Sequence, residues 1–173
     1  MTRRSLLKVF GLATAGAVAA RVGLGASTTA VAGKAVGHSS FTREQWAKLL
    51  PADAYGVLFE ENTERPNSSP LYHEHRDGTF ICAACYNPIF EAKSKFESGT
   101  GWPSFFSHID GAIGTKEDRS FFSVRTEYHC AHCDGHMGHV FDDGPQPTGL
   151  RYFNNGLALN FVQRGAAIPA LRG

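Results

Sequence analysis

The chain has 173 residues, 42% of them hydrophobic, with 17 basic and 16 acidic side chains. That length supports one domain with a buried core and leaves no room for a second of ordinary size. A formal charge of +1 with no extended basic run gives little attraction for phosphate backbones, which argues against a nucleic-acid partner.

Residues 1–32 read as a removable export segment. Thr2-Arg3-Arg4-Ser5-Leu6-Leu7-Lys8 carries a twin-arginine pattern, and an apolar run of small residues follows from Val9 to Ala20. The run is too short and too rich in glycine and alanine for a membrane span but suits a signal-peptide core. Ala30-Val31-Ala32 supplies an A-x-A cleavage site, so the mature chain is expected to begin near Gly33. Export by the twin-arginine route would deliver it, without a membrane anchor, to the periplasm or the exterior. A basic cytosolic helix is the competing reading. Cleavage would remove Arg3, Arg4, Lys8 and Arg21 and no acid, leaving 13 bases against 16 acids.

Residues 33–40 form an Ala/Gly/Ser-rich linker, 41–163 the domain, and 164–173 a C-terminal tail. Thr42 with Gln45 three residues later is a capping box that opens a short helix running to Leu50. Pro51 ends it, and Pro51 to Glu60 forms a second helix with Tyr55, Leu58 and Phe59 on an apolar face. Trp46 is expected in the core. Glu64 to Pro70 is rich in structure breakers and reads as an extended loop, and His73 and His75 beside Glu74 read as a solvated surface pair.

Beyond the loop the chain turns β-rich. Strands are expected at Thr79–Cys82, at Ile89-Phe90, over Ser120–Tyr128, Met137–Phe141, Leu150–Phe153 and Leu157–Val162. Asp142-Asp143-Gly144-Pro145 and Asn154-Asn155-Gly156 punctuate them. Short strands with close turns, after two small helices, point to antiparallel sheets and a mainly β fold.

All four cysteines fall in two C-x-x-C pairs, Cys82/Cys85 and Cys130/Cys133. Such turns direct two thiolates to one side of a tight loop, and two turns complete a tetrahedral shell for Zn²⁺. Four sulfurs leave no open coordination position, so the metal would be structural. Two disulfides, or a redox-active pair, are the alternatives. His129 and His132 would stand beside the ligands or face solvent, with His132 able to replace a cysteine.

Gly99-Thr100-Gly101-Trp102-Pro103 places a tryptophan on a glycine-rich loop suited to binding. His136 and His139 would point to opposite faces of a regular strand, so a bend is needed to bring them together, and Gly138 is the candidate. Their roles stay open between metal ligation and hydrogen-bonding or acid/base work. Arg151 and Phe153 share one strand face, with Asn155 in the following turn.

The strings TERP, CAAC, KFESGTGWPSF, EDRS, VRTE, CAHCDGHMGHVFDDGPQPTGLRY and NNGLALNFV resemble the methionine-(R)-sulfoxide reductase family, MsrB or SelR domain, over residues 41–163. The resemblance implies two antiparallel β-sheets in a tent-like arrangement, short N-terminal helices, and structural zinc on Cys82, Cys85, Cys130 and Cys133. It implies that Trp102 contacts the methyl group of the sulfoxide and that His136, His139, Arg151 and Asn155 line the site. It further implies protein repair by thiolate attack on sulfur, with resolution by a second thiol or a thioredoxin-like reductant.

The nucleophile stands in LRYC in the family, and this chain has LRYF, with Phe153 at that position. Many members carry a resolving cysteine in SGCGWPSF, where this chain has Thr100. Reduction of methionine-R-sulfoxide is therefore expected to be absent or very low. A non-catalytic binder of oxidised methionine, or of another sulfur or methylated ligand, is the alternative, and a zinc-ribbon interaction domain a further one.

Overall fold

A computed structural model describes residues 37–120 and 123–173, so the twin-arginine segment and its cleavage site lie outside the described residues. Helix α1 (Arg43–Leu49) opens with the expected capping box: Thr42 Oγ1 accepts from the Gln45 amide, and the Gln45 side chain accepts from the Thr42 amide. Helix α2 (Ala52–Glu60) follows Pro51 and ends on Glu61, in the left-handed region at φ 57°. Trp46 is buried between Phe41 and Phe59, at ring distances of 4.9 and 5.9 Å. Among the described residues no helix is long and apolar enough to cross a membrane.

The rest is mainly β. Strands β1 (Gly78–Cys82), β2 (Pro88–Glu91), β3 (Lys95–Phe96), β4 (Ser104–Phe105), β5 (Ile113–Asp118), β6 (Arg125–Cys130), β7 (His136–Phe141), β8 (Arg151–Asn154) and β9 (Leu159–Gln163) form two antiparallel sheets. One has the order β2-β1-β9 and the other β3-β4-β8-β7-β6-β5. Aromatic residues that alternate inward from both sheets meet between them. Phe90 of β2 stacks on Phe105 of β4 at 4.0 Å with planes 1° apart, Phe80 of β1 meets Phe105 edge-on, and Tyr128 and Tyr152 close the cluster. Such pairs add about 0.5–1.5 kcal/mol each beyond the burial of their surface.

Two boundaries differ from the expectation. The stretch from Ser120 to Tyr128 is not one strand. β5 ends at Asp118, which pairs with Arg125 at the start of β6, so the strand begins five residues later than Ser120, and β-branched and aromatic content alone did not mark that boundary. Leu157 and Ala158 belong to a 3₁₀ turn, Gly156–Ala158, that precedes β9.

Residues 164–173 are fastened at their end. Arg172 donates from its backbone to Cys85 and from its guanidinium to Ala84 and Ala83, and its cationic carbon lies 4.1 Å from the Tyr86 ring centre. His132, buried, meets the carbonyls of Gly37 and Arg172 with its two ring nitrogens. His132, expected beside the ligands or facing solvent, is buried beside them and acts as a clamp on both ends of the described chain.

Candidate functional site

The four cysteines come together at the ends of β1 and β6. Each pair sits in the same kind of turn. Cys82 and Cys130 are the last residues of their strands, the residue after the second cysteine bonds back to the first cysteine's carbonyl, and that residue has positive φ (Tyr86 67°, Asp134 55°). Two non-glycine residues held in the left-handed region at matching positions mark a turn fixed by its surroundings.

All four sulfurs lie within 4.8 Å of one another, with Cys82 to Cys133 at 3.7 Å and Cys85 to Cys130 at 3.5 Å. A disulfide would need about 2.05 Å, whereas tetrahedral zinc with bonds of about 2.3 Å separates its sulfurs by about 3.8 Å. The donors fit a thiophilic ion. Hydrogen bonding with the Cys133, Cys82 and Cys85 side chains holds the Cys130 thiol below the usual range. Hydrogen bonding to Cys130 drives the other three upward, with burial adding to it. The cluster also ties β1 of one sheet to β6 of the other.

The second site is a cavity of about 350 Å³ on the six-stranded sheet. Trp102, His136, His139, Arg151 and Phe153 all line it, as does Thr100. Phe153 lies between β4 and β7, opposite Ser104 on one side and His139 on the other. Its ring meets Trp102 edge-to-face at 5.2 Å and 83°. Gly138 beside it has no room for a side chain, since a Cβ there would come 1.8 Å from the Phe153 carbonyl oxygen.

The two histidines converge, their ring centres 5.6 Å apart. The device is a β-bulge: Tyr128 pairs with Gly138 but His129 pairs with His136, so Met137 is an extra residue in β7. One extra residue inverts the alternation and puts His136 on the same face as His139. The bend was expected at Gly138; the glycine serves the close approach to β8 instead.

Each histidine has an acidic neighbour that sequence reasoning missed. His139 Nε2 lies 2.8 Å from Asp118 Oδ2, and His136 Nδ1 stands 3.1 Å from Glu127 Oε1 without hydrogen-bond alignment. Asp118 also accepts from the Ser120 hydroxyl and amide and from Arg125, and these bonds hold its carboxyl far below the usual range. Burial pushes the His139 imidazole down, against the opposing pull of Asp118. A neutral His139 donating to Asp118 presents Nδ1 as an acceptor. Buried Glu127 is within 3.2 Å of Lys116, which also reaches Glu61 at 2.7 Å. Asp118 and Glu127 stood in EDRS and VRTE, but contacts across three strands leave no spacing to read.

Arg151 makes a two-pronged bond to Asp143, at 2.7 and 2.9 Å, and lies 4.4 Å over the Phe141 ring. Asn155 is not among the cavity residues. It is fully buried behind them, where its side chain accepts from the Glu64 amide and donates to the Met137 carbonyl. A larger cavity, about 960 Å³, lies between α2, residues 62–71 and β9. His73 and His75 are exposed.

Residues 50–163 match the SelR domain. The chain is 48% identical over 121 residues to "Peptide methionine sulfoxide reductase MsrB" of Methanosarcina barkeri, covering 69% of this chain and 85% of the relative. It is 50% identical over 119 residues to the protein of that name from Bradyrhizobium diazoefficiens, covering 68% and 86%. It is 46% identical over 127 residues to that of Pseudomonas putida, covering 73% and 96%. With two antiparallel sheets, a four-cysteine cluster and these relatives, the chain belongs to the MsrB family of SelR-domain proteins.

Proposed function

We propose that this family member holds oxidised methionine in the 350 Å³ cavity without reducing it. One observation supports the reading: Phe153 stands on the cavity wall, in the string LRYF where the resembled family has LRYC, and all four cysteines of the chain belong to the buried cluster. A phenyl ring has no lone pair or ionisable group with which to attack sulfur. A cluster sulfur recruited for the purpose would leave the centre that joins the two sheets.

The remaining walls suit the ligand. Trp102 and Phe153 form an apolar corner for a methyl group on a polarised sulfur. His136 and His139, each beside a carboxylate, offer polar contacts for the sulfoxide oxygen. In this reading the cluster carries structural Zn²⁺, the chain acts outside the cytoplasm after loss of residues 1–32, and its targets are methionine-R-sulfoxides in peptides or proteins. With no thiol to become a sulfenic acid, a thioredoxin-like reductant has nothing to act on.

The test pairs two measurements. Titration calorimetry with a methionine-(R)-sulfoxide peptide is expected to detect binding that Trp102→Ala removes. An activity assay with dithiothreitol is expected to find no turnover. Absence of binding by the unmodified chain, or turnover at the rate of a cysteine-bearing relative, would overturn the reading.

A further inference from the structure

We infer that Glu64 is a positioning residue that ties the Trp102 wall of the cavity to the histidine bulge of β7. The loop from Glu64 to Pro70, which the sequence marks only as breaker-rich, does not line the 350 Å³ cavity. Glu64 is nevertheless buried, and all its polar groups are engaged in directions that converge on the site.

Three connections meet at this residue. Its carbonyl accepts the Trp102 indole N–H at 3.1 Å, which fixes the ring plane of the aromatic wall. Its amide donates to Asn155 Oδ1 at 3.1 Å. Its carboxylate accepts the amides of Gly156 and Leu157, the latter at 3.2 Å, anchoring the segment that leaves β8. The neighbouring loop residues reinforce the first link, since the Asn67 amide donates to the Gly101 carbonyl at 2.7 Å.

Asn155 carries the connection onward. Its backbone amide and its side-chain amide both donate to the Met137 carbonyl, at 2.9 and 3.2 Å. Met137 is the extra residue of the bulge, and a bulge leaves one residue outside the ladder. Asn155 supplies the partners that the Met137 carbonyl would otherwise lack. The bulge in turn places His136 beside His139. One path of hydrogen bonds therefore runs from the Trp102 indole through Glu64 and Asn155 to the residue after His136.

The carboxylate makes this arrangement selective. Two amide donors on one carboxylate lock the Glu64 backbone in register with residues 155–157, so its amide and carbonyl cannot drift independently. Glutamine would keep one acceptor oxygen and present an N–H₂ to the other amide, losing one of the two bonds. Glycine at 156 is part of the fit, because a Cβ there would meet the Ser69 hydroxyl at 1.9 Å and the Glu64 carboxylate at 3.1 Å.

The experiment uses the full chain with its metal bound. Proton–nitrogen spectra report the Trp102 indole N–H, assigned with Trp102→Phe, and its exchange with solvent, while ring signals report His136 and His139. Glu64→Ala is expected to speed Trp102 indole exchange about tenfold, the equivalent of one hydrogen bond, and to shift His136 while metal content stays unchanged. Glu64→Gln is expected to move both signals the same way by a smaller amount, and it stands in if the alanine variant does not fold. Asn155→Ala is expected to move His136 more than Trp102.

A merely structural role would lower the melting temperature while leaving the Trp102 and His136 signals in place, and that result in either Glu64 variant would overturn the proposal. These readouts need no ligand. Failure of the sulfoxide peptide to bind would therefore defeat the proposed function while leaving the role of Glu64 to be judged on the spectra.

Discussion

The cysteine cluster and the Phe153 cavity share strand β6, which carries Cys130 at its end and Glu127 beside the cavity histidines, and they differ in where sulfur stands. In the cluster every donor is present, matched turn for turn, and buried between the sheets. In the cavity the aromatic wall, two carboxylate-neighboured histidines and the Arg151–Asp143 pair surround a phenyl ring, which carries no sulfur. A structural centre is a property of the fold and fails as a unit. A reactive centre rests on one atom and can be lost while its surroundings remain.

The largest effect that could break this comparison lies in the cluster. Cys130→Ser, or removal of the metal by a strong chelator, is expected to abolish cooperative unfolding, because structural zinc sites are worth about 10–16 kcal/mol of binding free energy near pH 7. Metal analysis alongside circular dichroism checks it: one ion per chain, lost together with the thermal transition. A variant that kept its melting temperature without metal would make the cluster dispensable.

The converse change belongs to the cavity. Phe153→Cys is expected to raise reduction of methionine-(R)-sulfoxide with dithiothreitol about 10²-fold or more above the unmodified chain, a difference of about 3 kcal/mol in barrier. The new thiolate would bond to the sulfoxide sulfur, methionine would leave, and two dithiothreitol thiols would reduce the resulting sulfenic acid, releasing water. Melting temperature should change little. Equal rates for the two proteins would erase the distinction drawn between the sites.

Acid probes two groups of the cavity more finely. Burial lowers the His139 pKa relative to the unfolded chain, so the unfolded state takes up protons first and stability is lost as pH falls through about 6.5 toward the folded value. Asp118 acts lower down: its pKa is depressed, so its contribution is present above the ordinary value of about 3.9 and is lost below it. Histidine ring spectra should place the His139 midpoint below 6.5, and His139→Gln should flatten stability between pH 5 and about 7. A midpoint at or above 6.5 would mean that Asp118 outweighs burial.

The smallest effect concerns the support of the cluster. Arg172→Ala removes two guanidinium bonds to the first cysteine turn and the contact with Tyr86. It is expected to cost about 1–2 kcal/mol, read as a few degrees in melting temperature, with metal stoichiometry intact.

Much of this was legible in the sequence. Thr42 and Gln45 announced α1 because a capping box is local, and the C-x-x-C pairs announced the cluster because each turn is local and only one junction had to be inferred. The family strings carried the sheets and most of the cavity. What escaped was non-local. Asp118 and Glu127 reach their histidines across strands, Asn155 works behind the cavity rather than in it, and Glu64 sat in a loop whose composition gave no sign of burial. The bulge at Met137 escaped too, since an extra residue in a ladder is visible only once its partner strand is known. Arg172 was placed in a tail because nothing nearby in sequence showed what it docks on.

The clamp formed by His132 has a consequence for the connectivity of the chain. One imidazole touches the carbonyls of both Gly37 and Arg172, so the polypeptide between them is already closed into a ring at its base. A circular permutant that joined these ends through a short glycine linker, and opened the backbone at the exposed Gly111, would keep every strand pairing.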